Sequence, residues 1–284
     1  MIRKPVVAGQ FYESDPEKLK QQIRGCFLHR FGPGKLPLHE SSNKRLGLVV
    51  PHAGYLFSGP CAAHAYSEFV KHKVNTVILL GPNHSGISKT FFSVSFKDFQ
   101  TPLGVVRNNK ALGRKIVQET EADQDEDAHE NEHSLEVQLP FLQFISQDFN
   151  IVPILISSPT YERCKEFALK LAELVDENTA IIASSDFTHY GPNYGFLPFN
   201  FDMNGKKKLY DLDKSIIGEI LRLNDKRFFD KASKSTVCGL FPILTVMEFC
   251  NKLKVENVKL LKYYTSSDIQ EANNSVGYAS IMFN

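Results

Sequence analysis

Residues 77–86 read VILLGPNHSG, a short apolar run that ends in a polar loop carrying a histidine. The same order occurs at residues 46–55, LGLVVPHAGY, and at residues 180–191, AIIASSDFTHYG. Short apolar runs rich in Val and Ile are typical of strands buried on both faces of an open α/β sheet. Ligands of such sheets bind at the carboxyl edge, where neighbouring strands lie about 5 Å apart. The pattern therefore predicts one pocket where the three loops meet.

Helix signals lie between the apolar runs. Ser14 and Glu17 have capping-box spacing and Pro16 suits a first turn, which predicts a helix from there to about His29. Strands that alternate with helices predict a three-layer α/β/α sandwich around a mixed, largely parallel sheet. No linker interrupts the pattern, so we interpret residues 1–284 as a single domain. The further predicted helices are 59–71, 134–148, 161–175, two within 206–232, and 240–253, and the further strands are 91–96, 105–107, 151–156, 258–264 and 276–282.

Composition and charge exclude several classes of protein. The 284 residues carry a net charge of +1 without a basic cluster interleaved with aromatics, so nucleic acid is not expected as a partner. No apolar run approaches the ~20 residues of a membrane span, and no signal-peptide core follows Met1, which predicts a cytoplasmic protein. Five cysteines without CxxC spacing do not form a disulfide framework. The acidic run 123–127 lacks the Gly and Glu of a calcium loop and is interpreted as solvated.

Two histidines occupy equivalent positions just past their strands. His52 and His84 are flanked by small residues that permit tight turns and close approach to a ligand. In the third loop Asp186 and His189 are three residues apart, and a carboxylate beside an imidazole can fix its tautomer for acid–base work. The alternative is that Ser185 or Asp186 only caps a helical turn. We favour a shared site in which Asp186 orients His189.

Cys238 stands just before a predicted helix, in the sequence STVCGLFP. A helix N-terminus stabilises the thiolate, the form of cysteine that binds metals or attacks carbon, and a buried inert cysteine is the alternative. His133 precedes Ser134, the predicted cap of another helix, and faces the same pocket or only begins that helix. Tyr55 and Asn83, beside the first two histidine loops, are further candidates for the pocket.

Several short motifs occur in a fixed order along the chain. They are AGQFY at 8–12, PHAGY at 51–55, SG at 58–59 with CAAHAY at 61–66, GPNH at 81–84, EHSLE at 132–136, SSDFTH at 184–189 and CG at 238–239. This set resembles the Memo family, in its archaeal or bacterial branch, over essentially the full length. The resemblance implies a fold similar to the catalytic subunit of class III extradiol dioxygenases, a non-haem iron family.

The resemblance also implies a metal pocket with His52, His84 and Cys238 as ligands. Asp186 and His189 then line the pocket, and His189 stands where the dioxygenases place a base. A cysteine replaces the carboxylate of the usual iron triad, and thiolate shifts preference toward copper(I) or zinc while still allowing iron. One iron or copper ion is the first expectation, and zinc is the alternative. Prokaryotic members are often grouped with radical-SAM and AMMECR1-type proteins, which suggests a shared pathway.

Three functions from different classes stay open. The first is a metal-dependent redox, oxygenase-like enzyme, or a metal-binding protein, that takes a small substrate, aromatic substrates included, in this pocket. The second is a metal-free cysteine hydrolase with Cys238 as nucleophile, His189 as base and Asp186 as orienter, which leaves His52 and His84 without a role. The third is a module that binds a peptide or another partner through an aromatic rim. The rings available for that rim are Tyr55, Phe187, Tyr190 and Tyr194.

Overall fold

The computed structural model describes residues 1–39, 46–146, 148–200, 203–255 and 257–284. The strands within these ranges are β1 (Ile2–Arg3), β2 (Gly47–Val50), β3 (Thr76–Pro82), β4 (Phe92–Val94), β5 (Asp98–Thr101), β6 (Gly104–Asn108), β7 (Asp123–Gln124), β8 (Asn150–Ile156), β9 (Thr179–Ser184), β10 (His189–Tyr190), β11 (Val258–Thr265) and β12 (Ser275–Phe283). The helices are α1 (Pro16–Leu28), α2 (Tyr55–Phe69), α3 (Lys110–Glu119), α4 (Glu126–His129), α5 (Leu139–Ile145), α6 (Tyr161–Glu173), α7 (Met203–Leu221), α8 (Asp225–Ala232), α9 (Leu240–Lys252) and α10 (Ser266–Ile269).

The strands form one mixed sheet with a parallel centre. Its order is β1-β5-β6-β8-β3-β9-β2-β12-β10, with β11 paired to β12 and β4 to β7 and β8. The neighbours β8, β3, β9 and β2 run parallel, whereas β12 joins β2 antiparallel. The predicted α/β fold with a mixed sheet is confirmed. Among the described helices, none combines the length and the apolar run that crossing a bilayer requires.

The central strands are buried on both faces because side chains alternate between two separate cores. On β3, Ile78 and Leu80 pack with α6, α7, α8 and α9 on one side of the sheet. Val77 and Leu79 pack with α1, α2 and α5 on the other side. This double burial explains why residues 77–80 are continuously apolar, and it leaves the polar loops at the strand ends as the place for chemistry.

Three predicted helix starts differ from the structure. The N-cap of α1 is Asp15 rather than Ser14, because the Asp15 carboxylate accepts the amide protons of the first turn. Helix α2 begins at Tyr55, four residues earlier than predicted, where the amide of Tyr55 donates to the carbonyl of Phe11. Ser134 is not the N-cap of the predicted helix, because its amide donates to the carboxylate of Glu132. The segment after it forms a short 3-10 turn and then α5.

The acidic run 123–127 is not a solvated loop throughout. The run forms β7 and the start of α4, and its Asp125 is buried. The carboxylate of Asp125 accepts the amide protons of Lys89, at 2.8 Å, and Ala128, at 3.4 Å. An acidic residue is stable in the interior here because backbone donors from two segments satisfy it.

Candidate metal centre

The three histidine loops meet at one edge of the sheet. Strands β3, β9 and β2 are consecutive neighbours and parallel, so the residues that follow them emerge side by side. The ring centroids of His52 and His84 are 5.2 Å apart. The ring of His133 stacks on His84 at 4.7 Å and meets His52 edge-on at 5.4 Å. The structure therefore brings together three imidazoles that lie far apart in the chain.

Cys238 joins this cluster from the loop before α9. Its Sγ lies 3.3 Å from Nε2 of His52 and accepts the amide proton of Asp186 at 3.2 Å. One ligand atom each from His52, His84 and Cys238 lies within 4.8 Å of the other two. Burial, followed by the carboxylate of Asp186, raises the pKa of the Cys238 thiol. Without a metal the thiol is therefore neutral, and a bound metal ion would displace its proton.

His52 is held as the tautomer that a metal requires. Its Nδ1 lies 3.0 Å from the hydroxyl of Ser184, and that hydroxyl gives its own proton to the carbonyl of Ser134 at 2.6 Å. Because the Ser184 proton is already committed, Nδ1 of His52 must be the donor in their contact. Burial first, and then the neighbouring histidines, lower the pKa of His52. The ring is therefore neutral and presents the lone pair of Nε2 toward Cys238.

His84 is oriented in the same sense by a buried carboxylate. Its Nδ1 lies 2.9 Å from Oε1 of Glu132, and its backbone amide donates to Oε2 at 2.7 Å. Burial alone would raise the pKa of Glu132, but the hydrogen bond from His84 and the charges of His84 and His133 lower it to about 2. An ionised carboxylate only accepts, so Nδ1 of His84 carries the proton and Nε2 is left to bind a ligand.

Two overlapping groups of residues have ligand atoms close enough to hold a transition metal. The first group is His52, His84 and Cys238, and the second is His84, Glu132 and His133. Its Glu132 is already occupied, because its oxygens accept protons from the amide of Ser134 at 2.8 Å as well as from His84. The set of His52, His84 and Cys238 is the better fit, because groups outside the set orient its imidazoles and its thiol is a ligand that soft metals prefer.

His189 reaches the pocket on β10, and the group that orients it is not Asp186. Among the described residues, the hydrogen-bond partner of its Nδ1 is the carbonyl of Thr236, at 3.0 Å. Asp186 instead accepts the amide protons of His52, at 2.8 Å, and Ala53, at 3.4 Å. No hydrogen bond between the Asp186 and His189 side chains is seen among the described residues, because the loop continues into a strand that pairs with β12 and residues three apart do not share a helical face. Burial raises the pKa of Asp186 and the charge of His189 opposes this shift, so the two groups still interact by charge.

Two predicted pocket residues lie elsewhere. Tyr55 is buried in the core at 2 % exposure, and its hydroxyl donates to the carbonyl of Val137 at 2.7 Å. Asn83 braces its own loop, since its amide donates to the carbonyl of Ile87 at 2.8 Å and to the hydroxyl of Ser157 at 3.0 Å. Both residues support the loops that carry the histidines without lining the cavity.

The aromatic rim expected for a binding module is only partly present. Phe187 and Tyr190 are fully buried, whereas Tyr194 is 43 % exposed and meets His189 edge-on at 5.0 Å. The cavity in front of the histidines measures about 640 Å³. Much of its lining is apolar, and the apolar residues include Phe11, Phe57, Tyr194, Val276 and Tyr278.

Two hydrogen-bond partners of the site histidines had no predicted role, and they are Glu132 and Thr236. Glu132 stands in the motif EHSLE, and Thr236 stands two residues before Cys238. Each makes its contacts with a histidine that is more than forty residues away in the chain. Local spacing carries no signal for such contacts, although the neighbours of both residues, His133 and Cys238, were candidates for the pocket.

The comparisons with known proteins agree with this fold. A sequence profile described as "Memo-like protein" matches residues 3–282. The chain is 39 % identical to the MEMO1 family protein MJ0403 of Methanocaldococcus jannaschii, over 98 % of each chain. It is 38 % identical to the MEMO1 family protein MK0963 of Methanopyrus kandleri, over 100 % of this chain and 99 % of the relative. The crystal structure of uncharacterized protein JW3007 from Escherichia coli K12 matches with a TM-score of 0.53 at 12 % identity, over 85 % of this chain and 100 % of that chain, which supports the fold alone.

Proposed function

The chain belongs to the Memo family, and on that premise we propose that it binds one transition-metal ion and works as a metal-dependent, oxygenase-like redox enzyme. The observation that carries the proposal is the convergence of His52, His84 and Cys238, whose ligand atoms lie within 4.8 Å of one another. The hydrogen-bond partners of both imidazoles take the Nδ1 proton, so in the neutral ring Nε2 is the nitrogen available to a metal.

The donor set favours iron or copper, with zinc as the alternative. Two imidazoles suit all three metals, and a thiolate adds preference for the softer ions, copper(I) and zinc. Three protein ligands leave a coordination position open for a small molecule. When bound, such an ion supplies Lewis-acid or electron-transfer chemistry at that position.

His189 is the group that we assign to proton transfer. The carbonyl of Thr236 can only accept, so Nδ1 of His189 carries the proton and Nε2 has a lone pair. The ring forms part of the cavity wall beside Tyr194. A proton on a bound ligand could therefore pass to Nε2 without a change of tautomer.

The ligand that fits the cavity is a small molecule with a flat apolar body. The rings of Phe11, Phe57, Tyr194 and Tyr278 line the same cavity as the histidines. Rings of this kind bind planar apolar groups by stacking and edge contacts. The polar end of such a ligand would then face the metal ligands and His189.

The cysteine-hydrolase alternative has less support. The imidazole within hydrogen-bond distance of Cys238 is His52 rather than His189. Burial lowers the pKa of His52 and raises that of Cys238, so this pair is neutral rather than a thiolate with an imidazolium. A nucleophilic cysteine requires the opposite shifts.

Elemental analysis of anaerobically purified protein tests the proposal. We expect about one equivalent of iron, copper or zinc, and alkylation of Cys238 that is slow with the metal bound and faster after a chelator removes it. Protein that is empty as purified, that takes up none of the three ions on addition, and that alkylates equally with and without chelator would contradict the proposal.

A further inference from the structure

Three hydrogen bonds connect His189 to a single residue, Thr236. The amide of His189 donates to the Thr236 hydroxyl at 2.8 Å, and that hydroxyl donates to the carbonyl of His189 at 2.7 Å. Nδ1 of the imidazole donates to the carbonyl of Thr236 at 3.0 Å. Pairing of β10 with β12 fixes the backbone of His189, but the imidazole itself is held by Thr236.

The same segment carries Cys238, two residues further on. The amide of Gly239 donates to the hydroxyl of Ser185 at 3.0 Å, and the amide of Asp186 donates to Sγ of Cys238 at 3.2 Å. Residues 236–239 and the loop before His189 are therefore joined at several points. A shift of one segment would move both the thiol and the imidazole.

We infer that Thr236 is the positioning residue of His189, in the role that sequence spacing suggests for Asp186. Its carbonyl keeps the proton of His189 on Nδ1, and its hydroxyl fixes the backbone from which the ring projects. This inference rests on the proposed acid–base role of His189, and it assigns to Asp186 the separate task of holding the His52 loop.

Nitrogen NMR of the histidine rings tests the inference on the full, metal-free chain labelled with ¹⁵N-histidine. Thr236→Val keeps the shape of the side chain and removes the hydroxyl, whereas Thr236→Ser keeps the hydroxyl. We expect wild type and Thr236→Ser to show His189 protonated at Nδ1 alone. Thr236→Val keeps the backbone carbonyl, but without the two hydroxyl bonds the contact of that carbonyl with Nδ1 should loosen. We therefore expect a second tautomer to appear and the His189 amide to exchange faster, on the order of tenfold.

Two further variants separate positioning from general damage. Ser235→Ala removes a neighbouring hydroxyl that bonds to Ala232, and it should leave the His189 signals unchanged. Asp186→Asn should also keep the proton of His189 on Nδ1. This comparison tests the inference if Thr236→Val does not fold. An unchanged tautomer and amide exchange in Thr236→Val, or a tautomer lost in Asp186→Asn, would overturn the inference. Because the protein is metal-free throughout, the outcome is independent of whether the proposed metal binds.

Discussion

The carboxylate of Glu132 holds His84 at two points, 2.7 Å from its backbone nitrogen and 2.9 Å from its Nδ1. The first bond fixes the loop, and the second fixes the ring and its tautomer. Glu132 is buried and ionised, so it also increases the basicity of the imidazole that faces the cluster. Glu132 is not a metal ligand in our proposal, but it orients the proposed ligand His84.

Glu132→Gln should therefore weaken metal binding without removing a ligand. We expect the dissociation constant to rise about 10- to 100-fold, the usual cost of losing a carboxylate behind a ligating histidine. Competition with a chelator of known affinity measures the effect. The matched control is Glu130→Gln, because the Glu130 side chain is 62 % exposed and its ion pair, among the described residues, is with Lys97. Equal affinities for the two variants would show that Glu132 does not prepare His84.

Cys238→Asp should change which metal the protein prefers. The variant restores the arrangement of two histidines and one carboxylate that suits iron(II), and it removes the soft thiolate that suits copper(I). We expect the ratio of iron(II) to copper(I) affinity to increase, while Cys238→Ser weakens copper(I) alone. Titration of both ions under anaerobic conditions measures the ratio. An unchanged ratio in Cys238→Asp would mean that the sulfur does not contact the metal.

Asp213 should make stability depend on pH. Burial raises its pKa to about 6, against hydrogen bonds from Thr188 and Tyr263 that lower it. The folded state therefore binds more protons than the unfolded state between about pH 4 and pH 6, so this carboxyl's contribution to the free energy of unfolding falls as pH rises through that range.

The comparison that isolates this effect is wild type against Asp213→Asn. The free energy of unfolding of wild type, relative to the variant, should fall by up to about 3 kcal/mol from pH 4 to pH 7, since one pKa unit is about 1.4 kcal/mol. Urea titrations at several pH values provide the measurement. A difference that stays constant with pH would show that Asp213 has an ordinary pKa in the folded protein.

Arg3→Ala should destabilise the fold although it lies near the start of the chain. The guanidinium is buried, pairs with Glu136 at 2.7 Å and donates to the carbonyls of His129 and Glu132. Removing one partner of a buried pair costs about 3–5 kcal/mol. Lys4→Ala is the control, because its side chain is exposed and its loss should stay within about 0.5 kcal/mol. Similar unfolding midpoints for both variants would contradict this prediction.

Much of the fold could be predicted because its signals are local. Double burial of the central strands made their sequences continuously apolar, and parallel neighbours necessarily release their following loops at one edge. The helix starts were less accurate, since Asp15 and Ser14 are both good caps and only the surrounding packing selects between them.

The hydrogen-bond partners within the site could not be predicted, because these contacts are not local in the sequence. His189 pairs with Thr236 and Asp186 with the amide of His52, and both contacts depend on which distant segment packs beside the loop. Tyr55 was expected at the pocket because it follows the His52 loop. It lies in the core because α2 begins at that residue and turns its side chain toward the packed face.

Metal binding by single histidine variants tests the proposed centre most directly. Purified wild type, His52→Ala, His84→Ala and His64→Ala are titrated with copper(I), iron(II) and zinc, with unfolding followed in parallel. His64 is the control, since its ring bonds to the carbonyl of Phe31 and lines a different cavity. We predict about one equivalent of metal in wild type and His64→Ala, and a sharp loss in the other two variants with the fold intact. Full occupancy in both His52→Ala and His84→Ala would contradict the metal centre.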